Sequence, residues 1–235
     1  LVKETYERVF SLTNEEWMYQ MTRANSHLVY KNEHWVANGW LLKDVIVQML
    51  DSCFNQLGSK HILEVGSGRG DNIVSLSLKN PSLNLTGLEF TQFGLQRGRE
   101  LAQDPRFAAN TVDVIESVDL GVNRVSFVKG NALKMPLADN SFDTVFTALV
   151  LEQIPHDYPK VLQEIKRVVS RYAVFIEPFF EANNLRGWLH LKKVDYFRFS
   201  YSKFRNFGFR PIAFFTDYPQ KINQKSGLLI TEVIK

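Results

Sequence analysis

From His61 to the C-terminus, short apolar runs alternate with segments of helical period, and that alternation leaves the chain few folds to adopt. HILEVG reads as a strand and DNIVSLSLKN as a helix closed by Pro81. LNLTGLE is a strand, followed by TQFGLQRGRELAQD, a helix opened by Thr91 and ended before Pro105. RVSFVKG and FDTVFTALV are further strands, DYPKVLQEIKRVV is a helix with Pro159 in its first turn, and YAVFIEP is a strand. Strands separated by helices pair in parallel and are covered on both faces. GFRPIAFF and LLITEVIK have no helical pattern between them, so an antiparallel pair is expected to finish the sheet. The expected class is therefore α/β, a doubly wound, mostly parallel sheet. Upstream, NGWLLKDVIVQMLDSCFNQLG predicts a helix stopped by Gly58. EEWMYQMTRANSHLVYKNEHW is also helix-like but rich in rings (Trp17, Tyr19, Tyr30, Trp35). It either buries them against the main domain or covers a ligand. Residues 1–57 are thus expected to form a helical cap or lid and residues 58–235 the main domain. Two segments interrupt the alternation: an insertion at 105–123 with no assigned place, and an aromatic, basic stretch at 179–206.

The stretch ILEVGSGRGDN sits at the carboxyl end of the first strand of this series, where a doubly wound sheet opens its ligand crevice. Gly66, Gly68 and Gly70 alternate there, more glycine than a structural turn needs, so something must approach the backbone closely. A dinucleotide turn has the spacing G-x-G-x-x-G, whereas this one is G-x-G-x-G and follows Glu64. An acid in that position repels a pyrophosphate and suits a cation. Glu89 ends the next strand, where a carboxylate can accept both hydroxyls of a ribose. A ligand with a ribose, no phosphate and a positive amino acid portion is S-adenosylmethionine.

Four motifs in order, ILEVGSGRG, LTGLEF, KGNALKMPLADNSFDTV and LVLEQIP, carry a resemblance to the class I S-adenosylmethionine-dependent methyltransferases from about Lys60 to Glu177. The chain is most similar to the small-molecule branch that includes ubiquinone and menaquinone methyltransferases. That resemblance implies a Rossmann-like fold with a seven-stranded sheet whose last strand is antiparallel. It implies that Glu64 and the backbone from Gly66 through Ser67 and Gly68 to Gly70 hold the methionine end of the cofactor. Glu89 would bind the ribose, and Phe90 would pack on the adenine. Gly130-Asn131-Ala132 stands where the family usually has G-D-A, so Asn131 would accept from the adenine amino group without a charge. Leu133 would line the adenine slot, and Thr147 would begin the loop beside the methyl donor. The family often ends its fourth motif in E-H-I, and here it is Glu152-Gln153-Ile154.

Methyl transfer from a sulfonium needs in-line positioning more than acid catalysis, although a carbon or oxygen acceptor usually needs a base. His156 and Glu177 are the candidates, with His34 reaching the site only if the N-terminal region is a lid. No N/D-P-P-Y/F tetrad follows the fourth strand, no cysteine lies near it, and no pattern there suggests a catalytic metal. A small-molecule acceptor is the expected partner. The segment 179–206 interleaves Phe179, Phe180, Trp188, Tyr196, Phe197, Phe199 and Tyr201 with Arg186, Lys192, Lys193, Arg198, Lys203 and Arg205. It either shapes a pocket for an acidic or phosphate-bearing acceptor, or is part core and part solvated surface. The same cations motivate a nucleic-acid methyltransferase as an alternative, and Asn131, Gln153 and the absence of an obvious base motivate a non-catalytic cofactor-binding module. A net charge of +3 does not by itself argue for nucleic acid. The single cysteine, Cys53, excludes an internal disulfide and reads as a buried, inert thiol. LVKETYERVF has neither part of a secretory leader and no apolar run is long enough to span a bilayer, so a cytoplasmic protein is expected. Nothing in the sequence fixes an oligomeric state.

Overall fold

A computed structural model of the chain describes residues 6–7, 9–104, 107, 125–222 and 224–235. Its elements, in chain order, are α1 (Asn14–Arg23), β1 (Ser26–Tyr30), β2 (Glu33–Ala37), α2 (Gly39–Leu57), β3 (His61–Val65), α3 (Asp71–Lys79), β4 (Asn84–Glu89) and α4 (Gln92–Leu101). They continue with β5 (Val125–Lys129), β6 (Phe142–Ala148), α5 (Tyr158–Val168), β7 (Val169–Glu177), α6 (Leu185–Lys193), β8 (Phe209–Phe215), β9 (Gln220–Lys221) and β10 (Gly227–Val233). The main sheet has seven strands in the order β5-β4-β3-β6-β7-β10-β8, and β10 runs antiparallel to both its neighbours. Expectation and structure agree on this class. The insertion expected at 105–123 lies outside the described residues except for Phe107.

The chain divides into two compact units, one of residues 1–25 and 38–131, the other of 26–37 and 132–235. In the first, β3 pairs in parallel with β4, and β4 with β5. Thr13 starts α1 with a reciprocal cap: its hydroxyl accepts from the Glu16 N–H, while the Glu16 carboxylate accepts from the Thr13 N–H at 2.8 Å. Asn38 caps α2 by accepting from Trp40 N and Leu41 N, and Gly58, left-handed at φ 66°, ends it. The tryptophans of α1 and α2 go inward, while Tyr19 stays exposed. Trp17 meets Trp40 edge-on at 5.0 Å, Trp40 lies 5.9 Å from Phe107, and Met18, Val74, Leu78 and Leu101 complete that core. For these tryptophans, packing against the domain is therefore what the structure shows.

In the second unit β6 pairs in parallel with β7, and β7, β10 and β8 follow as antiparallel neighbours. Three phenylalanines of the 179–206 stretch are core rather than pocket wall: Phe179, Phe197 and Phe204 are fully buried. Their rings meet edge to face, Phe179 with Phe197 at 5.7 Å and Phe204 with Phe175 at 4.8 Å. The structure departs from the sequence expectation between Ser26 and Ala37. The helix expected through Trp35 ends at Arg23, and an antiparallel hairpin follows, with β9 paired on the outer side of β1. The cause is local. Lys31 and Asn32 both take positive φ, 47° and 66°, the two-residue turn that matches the twist of a hairpin. The aromatic and β-branched residues on either side suit strands better than a helix.

Candidate functional site

Most of the residues that the sequence suggests for the cofactor lie, in the first unit, at the carboxyl ends of β3 and β4. Gly66, Gly68 and Gly70 all have left-handed backbones, at φ 72°, 55° and 76°. A Cβ at Gly70 would also lie 2.6 Å from the Phe127 ring. Gly66 N and Ser67 N donate to Leu88 O at 2.8 and 3.0 Å, Gly68 N to Glu89 Oε2 at 2.9 Å, and Gly70 N to Ser67 O at 2.7 Å. Those four donors are thus used in holding the turn, whereas a phosphate-binding turn would aim them at its ligand. The polar side-chain atoms left over there are two carboxylate oxygens and a hydroxyl. Glu64 is buried, and its Oε1 accepts from Asn72 Nδ2 at 2.7 Å while its Oε2 has no partner. Ser67 Oγ and Asp71 Oδ1 are likewise buried without partners, and Asp71 Oδ2 holds Lys43 at 2.5 Å. Burial pushes the Glu64 carboxyl up to about 8, against the Asn72 bond and the charge of Lys43. A buried acid with a bare oxygen calls for a cationic or hydrogen-bonding guest, and the amino group of S-adenosylmethionine fits that demand.

Glu89 is also buried, and it is busier than the sequence suggested. Its Oε1 accepts from Thr91 N and Thr91 Oγ1, both at 2.7 Å, and its Oε2 from Gly68 N. An ionised carboxylate offers about four acceptor positions, so one remains for a ribose hydroxyl. Phe90 and Asn131 are exposed on the same unit. Ala132, Leu133 and Thr147, together with both base candidates, belong to the second unit.

A feature of the first unit that the sequence did not disclose is a strap of N-terminal residues over the glycine turn. Arg69, inside the turn, is buried, and its guanidinium donates to Asn14 Oδ1 at 3.1 Å, Leu12 O at 2.9 Å and Val9 O at 3.4 Å. The Phe10 ring lies 3.0 Å from where a Cβ on Gly68 would be. The Glu7 carboxylate accepts from Gln92 N and Phe93 N at the start of α4, at 3.0 and 3.2 Å. The one sequence clue was Arg69 itself: a cation in the middle of a tight turn needs partners, and here they are carbonyls far upstream.

In the second unit the loop after β6 is gathered around Glu177. This fully buried carboxylate accepts from Thr147 Oγ1 at 2.8 Å, Val150 N at 3.0 Å, Leu151 N at 3.1 Å and Glu152 N at 3.3 Å. Leu149, within that loop, has φ 58°, a strained setting for a branched side chain. Burial pushes Glu177 up to about 8 and the charge of Glu152 adds to this, while the bonds from Leu151, Thr147 and Val150 oppose it. Glu152, which the sequence placed only within a motif, is buried too and held up at about 7 by that burial. It accepts from Gln153 Nε2 at 2.8 Å and from Gln224 Nε2. His156 is elsewhere: its side chain is largely exposed, with Nε2 2.9 Å from Asp195 Oδ2. His34 is exposed on β2. Among the described residues, Glu177 and Thr147 are brought together and the two histidines are not brought to them.

An acid and a glycine turn after the first strand of the main series, and a second acid bonded to that turn, on a sheet of this order, define the class I S-adenosylmethionine-dependent methyltransferases. The chain carries a domain that matches that class, whose cofactor is S-adenosylmethionine. Residues 63–176 match the methyltransferase-domain family Methyltransf_11. A demethylmenaquinone methyltransferase of Listeria welshimeri is 30% identical over 148 residues, 63% of this chain and 56% of that protein, so the chain spans little more than half the length of this relative. Among solved structures, the [4+2]-cyclase SpnF superimposes with a TM-score of 0.71 at 15% identity, over 99% of this chain and 94% of that one. Geranyl diphosphate C-methyltransferase of Streptomyces coelicolor A3(2), in complex with Mg2+, geranyl diphosphate and S-adenosyl-L-homocysteine, gives 0.67 at 11% identity, over 99% and 98%. At these identities the structural likenesses establish the fold alone. Among the described residues no helix is long and apolar enough to cross a membrane.

Proposed function

We propose that the chain transfers a methyl group from S-adenosylmethionine to a small-molecule acceptor. The observation that carries this reading is the bare, buried Oε2 of Glu64 behind a glycine turn whose own donors are already used. The cofactor, when bound, supplies an electrophilic methyl group on a sulfonium. The chain's part is to hold it: Glu64 and Ser67 would take the amino acid end, and Glu89 would take a ribose hydroxyl with its remaining lone pair. Asn131 would accept from the adenine amino group, with Phe90 beside the base. Glu177, bonded to Thr147 and three loop N–H groups, fits the role of positioning the loop after β6 rather than that of a free base. A cytoplasmic setting belongs to this reading, and the one cysteine, buried with its thiol pushed up to about 12, suits a reducing compartment. The test is transfer of label from methyl-labelled S-adenosylmethionine, with demethylmenaquinone, the substrate in the relative's name, as the first acceptor and calorimetry of S-adenosylhomocysteine alongside. A chain that does not bind S-adenosylhomocysteine sinks the reading. Binding without transfer to any acceptor class would move it toward the cyclase, since a shared fold does not fix a reaction.

The lid expected of the N-terminal region narrows to the strap at Glu7 and residues 9–14. Because Trp17 and Trp40 are core, truncation must stop before Thr13 to leave the domain folded. Removing residues 1–12 is expected to weaken S-adenosylhomocysteine binding about tenfold, through loss of the charge-assisted bonds that hold the turn. Calorimetry showing unchanged affinity in the truncated chain would make the strap packing alone.

An acidic or phosphate-bearing acceptor is the finer form of this proposal. Of the cations expected to grip it, Arg186, Lys192 and Lys193 are exposed on α6, while Arg198 is withdrawn and donates to Tyr196 O at 2.8 Å and Asp195 Oδ1 at 3.4 Å. The acidic acceptor therefore rests on Arg198. Arg198→Ala is expected to raise the acceptor KM roughly tenfold with kcat held, the mark of lost uniform binding. An unmoved KM would remove the acidic group from the acceptor.

A further inference from the structure

The outer face of α6 has a composition that neither the fold nor the proposed reaction uses. The helix, LRGWLHLKK, packs into the second unit through Gly187 and Leu191, four residues apart and both buried. On the opposite face, also four apart, are Leu185 and Leu189, with 74% and 51% of their surfaces open to solvent. A helix advances about 100° per residue. Lys193 and Arg186 therefore flank the leucines on one side, and Lys192 and Trp188 on the other. All three cations are exposed, and none forms an ion pair among the described residues. Lys192 rests over the Trp188 ring at 5.5 Å. Exposed Phe180 precedes the helix and exposed Val194 follows it.

A solvated helix gains nothing from leucine at its most outward positions, and this pair is bordered by cations on both sides. We propose that α6 is a membrane-surface contact that lays Leu185 and Leu189 into the headgroup boundary of an anionic bilayer. The ordering of the residues singles out this partner. At an anionic bilayer the outermost side chains enter the apolar layer, the flanking cations stay level with the phosphates, and a tryptophan sits at the boundary. A nucleic acid would meet the leucines first and offer them nothing, because its backbone rewards cations at the centre of the contact. A single helix of this length with three cations gives weak, reversible binding that depends on salt and on lipid charge. The chain would thus visit a membrane surface without spanning it.

The test is co-sedimentation of the full chain with phosphatidylcholine vesicles, with and without phosphatidylglycerol, at low and physiological salt. Binding is expected to the anionic vesicles only, falling as salt rises. Leu185→Ser with Leu189→Ser is expected to cut the partition coefficient about tenfold or more. Lys192→Glu with Lys193→Glu is expected to cut it by at least a similar factor. Unchanged melting temperature and circular dichroism in both variants would show that they remain folded. No sedimentation with anionic vesicles at low salt overturns the proposal. Binding that the lysine variant abolishes and the leucine variant leaves intact overturns it as well, since that is adsorption by charge alone. So does a chain that ignores vesicles and instead shifts a mixed-sequence RNA in a lysine-dependent way. None of these readouts depends on methyl transfer, so the proposed function can fail while this one stands, and the reverse.

Discussion

Glu64→Gln is expected to bind S-adenosylmethionine about 30- to 150-fold more weakly than the parent chain, as loss of about 2–3 kcal/mol from one charge-assisted contact predicts. The change keeps the shape of the side chain, so the Asn72 contact and the turn survive. What disappears is the charge on the carboxylate whose Oε2 has no partner among the described residues. The same carboxyl gives the effect a pH signature. Its folded pKa, about 8, is raised above the ordinary 4.5 by burial. Its contribution to stability is therefore full below pH 4.5 and is lost as the pH rises through about 8. A bound cation reverses that balance by drawing the proton off. Between about pH 5 and 7, cofactor affinity should rise with pH and binding should release a proton, measurable by calorimetry in buffers of different ionisation enthalpy. Glu64→Gln should flatten both. In the ligand-free state it should also melt above the parent at alkaline pH and level with it in mild acid. Affinity within about twofold of the parent, with the proton release intact, would take Glu64 out of the site.

Glu177→Ala is expected to destabilise the chain by about 3–5 kcal/mol, because it strands a buried hydroxyl and three loop N–H groups at once. For a chain of this size that lowers the melting temperature by roughly 10 °C. The loop also loses what holds Leu149 at a positive φ, so its hydrogen exchange should rise from Thr147 to Glu152. Glu177→Gln separates bracing from proton transfer. A glutamine can still accept from Thr147, Val150 and Leu151, which all use the same oxygen, Oε1, and loses only the weaker contact to Glu152 N at 3.3 Å. A brace then costs about 1 kcal/mol and leaves turnover near normal. A general base would instead lose about a hundredfold or more in kcat with the fold intact, along with any inflection it gave the pH profile. That second outcome would return Glu177 to the chemistry.

The parts of the fold that could be read from the sequence are those that announce themselves locally. Asn38 and Gly58 bracket α2, Thr91 opens α4, Pro159 starts α5, and the apolar runs of β3, β4, β6 and β7 have the length and texture of buried strands. The acid–glycine–acid arrangement was legible for the same reason, since its parts lie within one strand–helix–strand unit. What escaped depends on distant partners. Ser26 to Ala37 carries enough aromatic and apolar residues to pass for a continuing helix, and the third strand of its sheet, Gln220–Lys221, is two residues long with no pattern of its own. Arg69 finds carbonyls of Val9 and Leu12, and a backbone carbonyl carries no sequence signature. The Glu177 brace was hidden because three of its four donors are backbone N–H groups, so only the geometry of the loop shows that a base candidate is already engaged.

The pairing of β1 with β9 has a consequence for how the chain is made. Leu28 meets Lys221, so an element finished early in synthesis must wait roughly 190 residues for its partner, a closure of high contact order. At the usual pace of translation that is about 10–40 s during which the β1 edge of the nascent hairpin stays open. A two-stranded hairpin alone is marginal in water, so residues 26–37 would take their final form only once Gln220 and Lys221 have been made. The flanking helices α1 and α2 can already be packing on the strands that follow them. The order of assembly is thus first unit, then second, with the hairpin among the last parts of the second unit to close.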